Sequence, residues 1–325
     1  MAAKPSYLLF DVTLLRRTQI SPSLVRFTFT GPQVEQMATY APDQRIKLFF
    51  PSNKDSLDAL FNVVQQQAHD WYEAYRALPE TQRPAMRTYT IRALRAECAE
   101  VDVEFVLHGD NGPASRWAMN ARPGDRLGMT APVIDAPGPP LGFEWKPPKG
   151  VRRILLIADE TAVPAAVGIL EALNELPHHP QVEALFEVPH SDDAQTLPSA
   201  AKMHWLARDT DSASQHGELL LRAVRDIDLA QEIKALGGKP CKVAGGDIED
   251  SSGDSIGNSS GDSIEDSEEP LWEPAAVNDS APFYAWIAAE TKVARQLRRY
   301  LVNECGLPKQ YVTSMGYWRL GKENS

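Results

Sequence analysis

Apolar and polar residues alternate along the first 150 positions of the chain. Every second residue is apolar in VRFTFT at 25–30, and VDVEF at 101–105 repeats the pattern. Successive side chains of a strand point to opposite faces, so both segments predict antiparallel strands with one buried face. Further strands are predicted at 45–50, 86–92 and 126–130, with a helical insert at 61–78 and a proline-rich linker at 132–150. The pattern is typical of a small β-barrel.

The pattern changes after residue 150, where short continuous apolar runs alternate with helical segments. Strands are predicted at 153–158, 182–188, 204–207 and 283–288, and helices at 164–176, 218–236 and 291–305. Such an alternation indicates an open parallel sheet with helices on its faces. We therefore expect a β-barrel domain at 1–140 followed by an α/β domain at 141–325.

The formal charge of −11 is concentrated in one segment of the chain. Residues 246–270 hold nine acids and no Lys or Arg, and SSGDSI occurs twice among them. A segment of Ser, Gly, Asp and Glu has almost nothing to bury, which predicts a disordered insert. The rest of the chain is close to neutral, so nucleic acid is not an expected partner.

The cysteines limit the chemistry that the chain can carry. Cys98, Cys241 and Cys305 are far apart and form no CxxC pair. Neither a disulfide framework nor a protein-bound metal or iron–sulfur site is predicted, so an organic cofactor would have to carry any electrons. No apolar run approaches the ~20 residues of a membrane span, and the first residues do not resemble a signal peptide. A cytoplasmic monomer without stable membrane association is expected.

The segment RTYT at 87–90 is the first candidate for binding chemistry. On a strand, Arg87 and Tyr89 share one face, while Thr88 and Thr90 share the other. The arginine can pair with a phosphate and the tyrosine can lie against a planar ring. Taken alone the motif is weak, because Tyr and Thr are also ordinary strand residues.

Two strand ends carry the other candidates. LHGDNGPAS at 107–115 places glycines where a strand turns into a helix, which lets backbone N–H groups approach a diphosphate. ADET at 158–161 and AET at 289–291 each follow a strand of the predicted parallel sheet, whose carboxyl ends form a ligand-binding crevice. A plain Gly-Pro turn, a structural His108 and simple helix caps are the alternatives.

Together these motifs resemble the siderophore-interacting protein family, the flavin-dependent ferric-siderophore reductases. The resemblance covers nearly the whole chain. It is carried by RTYTIR at 87–92, DVEFVLHGDNGPASRWA at 102–118, GDRL at 124–127, ADETAVPA at 158–165, WLAR at 205–208, WIAAE at 286–290 and GYWRLG at 316–321. It implies a ferredoxin-reductase-like fold, with a FAD-binding barrel followed by a NAD(P)H-binding domain.

The resemblance also implies positions for the cofactors. Tyr89 would lie against the isoalloxazine with Thr90 near its reactive edge, and FAD itself would carry the chemistry without a catalytic side chain. The implied cofactor-binding residues are Arg87, Tyr89, Thr90, His108, Gly112, Pro113, Ala114, Ser115, Asp159, Glu160, Thr161, Ala289 and Glu290. The acidic insert at 246–270 departs from the family pattern.

The expected reaction is reduction of a ferric siderophore or another iron(III) chelate. NAD(P)H gives two electrons as hydride and iron(III) accepts one, so a flavin is a suitable intermediary. The family resemblance suggests Lys47, Arg319 and Lys322 as cationic substrate contacts, although they could be ordinary surface charges. Arg208, or else Lys202 or Arg222, could meet a 2′-phosphate, which favours NADPH over NADH.

Two other functions are compatible with the same motifs. One is a flavin reductase that passes electrons to a protein such as flavodoxin or ferredoxin. The other is a flavin- or siderophore-binding module without activity. The electron acceptor distinguishes the first, and hydride transfer to the bound flavin would exclude the second.

Overall fold

The computed structural model describes most of the chain. The described residues are 6–66, 71–107, 109, 112–211, 214–238, 271–276 and 280–321. They form two sheets, one in each half of the chain. The predicted disordered insert at 246–270 lies outside the described residues.

The first sheet has seven strands in the order β4-β3-β7-β1-β2-β6-β5. Its strands are β1 (Tyr7–Gln19), β2 (Leu24–Thr30), β3 (Arg45–Phe50), β4 (Ala85–Thr90), β5 (Ala93–Arg95), β6 (Glu100–Val106) and β7 (Arg126–Pro132). All neighbouring pairs are antiparallel. The apolar residues of the alternation form the barrel core, where Phe27, Phe29 and Phe105 are at most 1% exposed. The polar residues on the other face are buried or half-buried, and they pair with one another: Thr28 donates to Asp102, and Arg26 pairs with Glu104. The predicted antiparallel barrel is confirmed.

Three helices belong to this half: α1 (Ser56–Gln66), α2 (Trp71–Ala77) and α3 (Pro113–Asn120). The insert predicted at 61–78 is thus two helices, and the first begins earlier than expected. The first helical hydrogen bond runs from the Ala59 N–H to the Asp55 carbonyl at 2.9 Å. The α1–α2 pair covers Phe49 on the outer face of the sheet.

The second sheet has six strands in the order β10-β9-β8-β12-β13-β11. Its strands are β8 (Arg153–Asp159), β9 (Gln181–Val188), β10 (Lys202–Ala207), β11 (Trp272–Glu273), β12 (Phe283–Glu290) and β13 (Val312–Trp318). All neighbours are parallel except β11, which runs antiparallel to β13. The predicted open parallel sheet is therefore confirmed, with one antiparallel edge strand. Its center is fully enclosed, since all eight residues of β12 are buried.

The helices of this half are α4 (Val163–Asn174), α5 (Glu218–Ala223), α6 (Ala230–Ala235) and α7 (Thr291–Arg299). The single helix predicted at 218–236 is wrong, because the chain leaves the helix after a short turn and restarts at Ala230. Asp228 accepts a 3.0 Å hydrogen bond from the Ala230 N–H and so favours a new helix start there. In the described ranges, no helix is both long and apolar enough to cross a membrane.

Candidate active site

The order in which strands are added to the second sheet reverses at β8. The chain passes from β8 to β9 on one side, and β12 lies on the other side of β8. Ligands bind at such a switch point, in the crevice beyond the carboxyl ends of the strands. Asp159 ends β8 and Glu290 ends β12, so ADET and AET meet at one place, as the sequence predicted.

Asp159 is fully buried and accepts four hydrogen bonds. Its Oδ1 accepts from the N–H (3.0 Å) and Oγ1 (2.5 Å) of Thr161. Its Oδ2 accepts from the Glu290 N–H (2.7 Å) and the Trp318 indole N–H (2.8 Å). Burial and the neighbouring Glu160 raise the pKa of Asp159. This carboxylate therefore joins the ends of β8, β12 and β13.

Glu160 forms a charged cluster with Arg208 and His216. The Arg208 guanidinium donates to both oxygens of Glu160, at 2.7 and 3.0 Å, and the His216 Nε2 lies 3.3 Å away. Burial opposes the charge on Glu160, but the bonds from His216 and Arg208 outweigh it and lower its pKa. Burial also opposes the charge on His216, but the two acids raise its pKa.

Glu187, at the end of β9, completes this cluster. Its side chain is 0% exposed and accepts from Arg208 at 3.0 Å. It also accepts from the backbone N–H groups of Gly217 (2.6 Å) and Leu220 (3.3 Å) at the start of α5. One buried acid thus satisfies both an arginine and the first N–H groups of a helix.

The final described segment is fastened across the same edge of the sheet. Glu290 accepts from the N–H groups of Lys292 (2.6 Å) and Val293 (3.2 Å) at the start of α7, and from the Leu320 N–H (3.2 Å). Thr291 Oγ1 donates to the Trp318 carbonyl at 2.8 Å. These contacts fix Trp318 beside Asp159 at the mouth of the crevice.

The RTYT segment lies on β4 as predicted. Arg87 and Tyr89 are paired with Leu48 and Ile46 of β3, which places both on the inner face of the barrel. The ring centroids of Tyr89 and Phe105 lie 4.2 Å apart, and burial raises the pKa of Tyr89. Arg87 and Tyr89 therefore share a face on which a phosphate and a planar ring can be bound together.

The N-terminus of α3 follows the Gly-rich turn. Gly112 has φ +150°, and a Cβ added there would meet nothing within 4 Å. Pro113 occupies the first turn, and among the described residues no side chain caps the helix. Backbone N–H groups at an uncapped helix end beside open space form a donor set that fits a diphosphate. Pro113, Ala114 and Ser115 begin this helix, while His108 lies outside the described residues.

Of the cations predicted from the sequence, Lys47 lies on the strand face opposite Arg87 and Tyr89. Its Nζ donates to Thr88 at 2.5 Å, and burial lowers the pKa of Lys47. Thr90 shares that face and is buried opposite Arg45. Arg319 follows β13, and Lys322 lies outside the described residues. Binding of substrate by these cations stays a prediction.

The three candidates for a 2′-phosphate contact all pair with acids. Lys202 contacts Glu183 at 2.8 Å, Arg222 contacts Asp211 at 2.8 Å, and Arg208 is held in the buried cluster. A preference for NADPH therefore stays a prediction without support from these contacts.

Asp159, Glu160 and His216 each offer a ligand atom, and these atoms lie within 4.8 Å of one another. The geometry could suit a metal ion. However, Arg208 already neutralises Glu160, and Asp159 already accepts four hydrogen bonds, so protein groups satisfy both acids. The buried Nδ1 of His216 has no hydrogen-bond partner among the described residues. Sequence reasoning found Asp159 and Glu160 but missed His216, Glu187 and the contact role of Trp318. Of these three residues, only Trp318 lies in a motif that the sequence marks, GYWRLG at 316–321.

An antiparallel barrel with a phosphate- and ring-binding face, followed by an open parallel sheet with its crevice, defines a ferredoxin-reductase-like flavoprotein. Two family descriptions match the chain: siderophore-interacting FAD-binding domain over residues 13–136 and siderophore-interacting protein over residues 151–321. This protein belongs to the siderophore-interacting protein family, and its cofactors are FAD and NAD(P)H.

Curated relatives include two reductases. The ferric vibriobactin reductase ViuB of Vibrio cholerae serotype O1 is 28% identical over 228 residues, covering 68% of this chain and 74% of that protein. The NADPH-dependent ferric-chelate reductase of Escherichia coli K12 is 32% identical over 209 residues, covering 61% of this chain and 71% of the relative.

Solved structures share the fold. A siderophore utilization protein from T. fusca matches with a TM-score of 0.62 at 22% identity, covering 98% of this chain and 96% of that one. The siderophore-interacting protein SipS from Aeromonas hydrophila matches with a TM-score of 0.59 at 24% identity, covering 98% and 94%. At these identities the likeness concerns the fold alone.

Proposed function

We propose that this protein is an NAD(P)H-dependent ferric-siderophore reductase that acts through FAD. The observation that carries the proposal is the pairing of two surfaces. The inner face of β4 and the uncapped start of α3 fit FAD, and the crevice at Asp159 and Glu290 lies in the domain that follows. Family membership and the named activities of the two reductase relatives support the same reaction.

The side chains bind and orient rather than react. When bound, FAD accepts two electrons together and passes them on singly, which matches a hydride donor to iron(III). Arg87 would pair with the FAD phosphates, Tyr89 would hold the ring system, and the N–H groups of Ala114 and Ser115 would face the diphosphate. Asp159 and Glu290 would keep the nicotinamide side of the crevice in shape through their bonds to Trp318 and Leu320.

The substrate requires no ligand from the protein. Iron(III) arrives within its chelator, and iron(II) carries less charge and is held less tightly by hard oxygen donors, so reduction favours its release. Cations near the entrance would attract an anionic chelate, and Lys47, Arg319 and Lys322 are our candidates. We also propose the division into a FAD-binding domain at 1–140 and a NAD(P)H-binding domain at 141–325, with residence in the cytoplasm as a monomer.

Anaerobic stopped-flow mixing tests this function in two stages. The FAD-loaded protein is first mixed with NADPH or NADH, and bleaching of the flavin absorbance is expected. The reduced protein is then mixed with a panel of ferric chelates, and reoxidation with formation of iron(II) is expected. Flavin that is reduced but reoxidised only by flavodoxin or ferredoxin would refute the proposal in favour of a protein acceptor.

A further inference from the structure

One buried carboxylate crosses from the second domain to the barrel. Asp193 follows β9 and is 3% exposed, and its contacts are in the turn between β1 and β2. Its Oδ1 accepts from Ser21 Oγ (2.6 Å) and the Ser23 N–H (2.8 Å). Its Oδ2 accepts from Ser23 Oγ (2.8 Å) and the His190 N–H (3.1 Å). Both serines are buried as well. We name Ser21, Ser23 and Asp193 the interdomain clasp.

The clasp is connected to the FAD-binding turn. The Ser23 carbonyl accepts a 2.8 Å hydrogen bond from the Leu107 N–H. Leu107 begins the LHGDNGPAS segment that leads to α3. Ser23 therefore holds Asp193 through its N–H and hydroxyl, and holds the approach to the FAD diphosphate through its carbonyl.

The clasp is also connected to the charged cluster of the crevice. Asp193 belongs to the short helical turn that starts at Ser191, whose N–H donates to Asp209 at 3.0 Å. Asp209 adjoins Arg208, which binds Glu160 and Glu187. Ser21, Ser23, Asp193 and Glu160 line one narrow pocket between the two domains. A continuous chain of contacts thus joins the two halves of the proposed active site.

Among the described residues, two ion pairs also join the domains when they are divided at residue 140. Arg45 pairs with Glu144 at 3.2 Å, but Glu144 lies in the linker close to that boundary. Arg92 of the barrel pairs with Glu171 of α4 at 2.5 Å, but the Glu171 side chain is 48% exposed.

Exposed ion pairs contribute little, whereas a buried carboxylate with four donors loses much if its partners move. Asp43 is also buried, but within the described part of the chain it accepts only from Glu144 and Trp145 of the linker. Asp193 joins the barrel to the turn after β9, and is therefore well placed to fix the angle between the domains.

We propose that Asp193 is a positioning residue that sets the distance between the FAD held by the barrel and the nicotinamide held by the second domain. This inference rests on the proposed function. Hydride transfer requires the reacting atoms to lie within about 3–3.5 Å, and a displacement of about 1 Å far from the chemistry can slow it about 100-fold. A change at the clasp should therefore affect transfer more than binding.

The test compares Asp193→Ala with Asp192→Ala, which removes an exposed acid next to the clasp. In Asp193→Ala the rate of flavin reduction at saturating nicotinamide should fall about 10- to 100-fold. FAD content and the nicotinamide dissociation constant should stay within about twofold, because their binding residues are unchanged. Asp193→Asn keeps one oxygen that can accept from Ser21 Oγ and the Ser23 N–H but loses the acceptor for the His190 N–H, so it should recover part of the rate.

A second variant and a second measurement protect the test. Ser21→Ala/Ser23→Ala should slow reduction in the same way, and adding Asp193→Ala to it should cause little further loss. Hydrogen exchange at the Leu107 amide should become faster in Asp193→Ala and remain unchanged in Asp192→Ala.

The proposal is overturned if Asp193→Ala and Asp192→Ala behave alike in both measurements. It is also overturned if both clasp variants lose FAD and unfold, since Asp193 would then serve folding. If the wild type is reduced by neither nicotinamide, the proposed function fails, and exchange at Leu107 alone decides whether the clasp orders this turn.

Discussion

The barrel and the second domain use their polar groups in opposite ways. At the start of α3 no described side chain caps the helix, and apart from its neighbours in the chain no described atom lies within 4 Å of a Cβ built at Gly112. At the sheet edge, Asp159 accepts four hydrogen bonds and Glu187 accepts from an arginine and two backbone N–H groups. One region retains capacity for a ligand, and the other has its bonds within the protein.

This difference suggests that the barrel face serves ligand binding, whereas the charged cluster of the second domain serves the stability of the fold. A substitution on the barrel face should weaken FAD binding and change the stability of the apoprotein little. A substitution in the charged cluster should destabilise the fold, because a buried charge is left without its partner. The predictions below test that separation.

The largest effect is expected for Glu187→Ala. The change leaves Arg208 short of an acid and removes the acceptor for two N–H groups of α5. Breaking a buried pair in this way costs about 3–5 kcal/mol. Urea unfolding of the apoprotein would measure the loss, with the exposed acid Glu175→Ala as control. A loss as small as in that control would mean that the cluster is not part of the framework.

A substitution of Asp43 tests whether a buried carboxylate with too few hydrogen-bond donors lowers the stability of the fold. Its Oδ2 accepts from the N–H groups of Glu144 (2.8 Å) and Trp145 (2.9 Å). Its Oδ1 has no hydrogen-bond partner among the described residues. Burial raises the pKa of Asp43 from 3.8 to about 6. An amide can keep both bonds without charge, so Asp43→Asn should be more stable than the wild type at neutral pH.

The direction of the pH dependence follows from the raised pKa. The folded protein binds this proton more tightly, so the contribution of Asp43 is fully present below 3.8 and is lost as pH rises through about 6. The advantage of Asp43→Asn should therefore grow from acidic to mildly alkaline pH, by roughly 3 kcal/mol in total. Urea unfolding of both proteins across that range measures it. A constant difference would place the native pKa near its ordinary value.

A smaller effect, confined to the ligand, is expected for Arg87→Ala. Loss of a charge-assisted bond to phosphate should weaken FAD binding by about 1.5–3 kcal/mol. The purified variant should be pale, while the unfolding midpoint of the apoprotein should change little. Arg122→Ala, at an exposed arginine of the same domain, is the matched control. Full flavin content in Arg87→Ala would remove this residue from the site.

The smallest effect is expected for Lys47→Gln/Arg319→Gln. Attraction of an anionic chelate by these cations acts through a field screened over about 8 Å at physiological ionic strength. Reoxidation by anionic ferric chelates should slow a few-fold and recover at high salt, while flavin reduction by NAD(P)H is unchanged. Equal slowing of both steps would indicate structural damage instead.

Much of the fold follows from local patterns. The alternation at 25–30 and the apolar run at 153–158 each predict one strand. A strand face that packs in an apolar core requires apolar residues at its positions, so the packing appears directly as a pattern in the sequence. The strand β13 was not predicted. Its sequence VTSMGYW lacks a strand pattern because Ser314 and Gly316 interrupt it. Both residues are set by tertiary contacts. Ser314 Oγ donates to the Ala294 carbonyl of α7, and a Cβ at Gly316 would lie only 2.5 Å from Thr291 Oγ1.

The candidate site can be proposed from the sequence only where a motif marks its residues. Arg87, Tyr89, Gly112 and Asp159 stand in short segments whose spacing has a chemical meaning. His216 and Glu187 do not, because their roles arise only when β8, β9 and the start of α5 come together. The role of Asp193 cannot be predicted from the sequence either, because its serine partners lie some 170 residues earlier in the chain.

The position of β12 has a consequence for how the chain folds during synthesis. This strand lies between β8 and β13, at the heart of the second sheet, yet it is made after β8, β9 and β10. Until residues 283–290 emerge, one edge of β8 has no neighbour, although its residues 154–159 are all destined for burial. Unpaired apolar edges are where nascent chains associate wrongly. The barrel can therefore be complete before the sheet of the second domain has all its strands, and we expect the second domain to finish folding last.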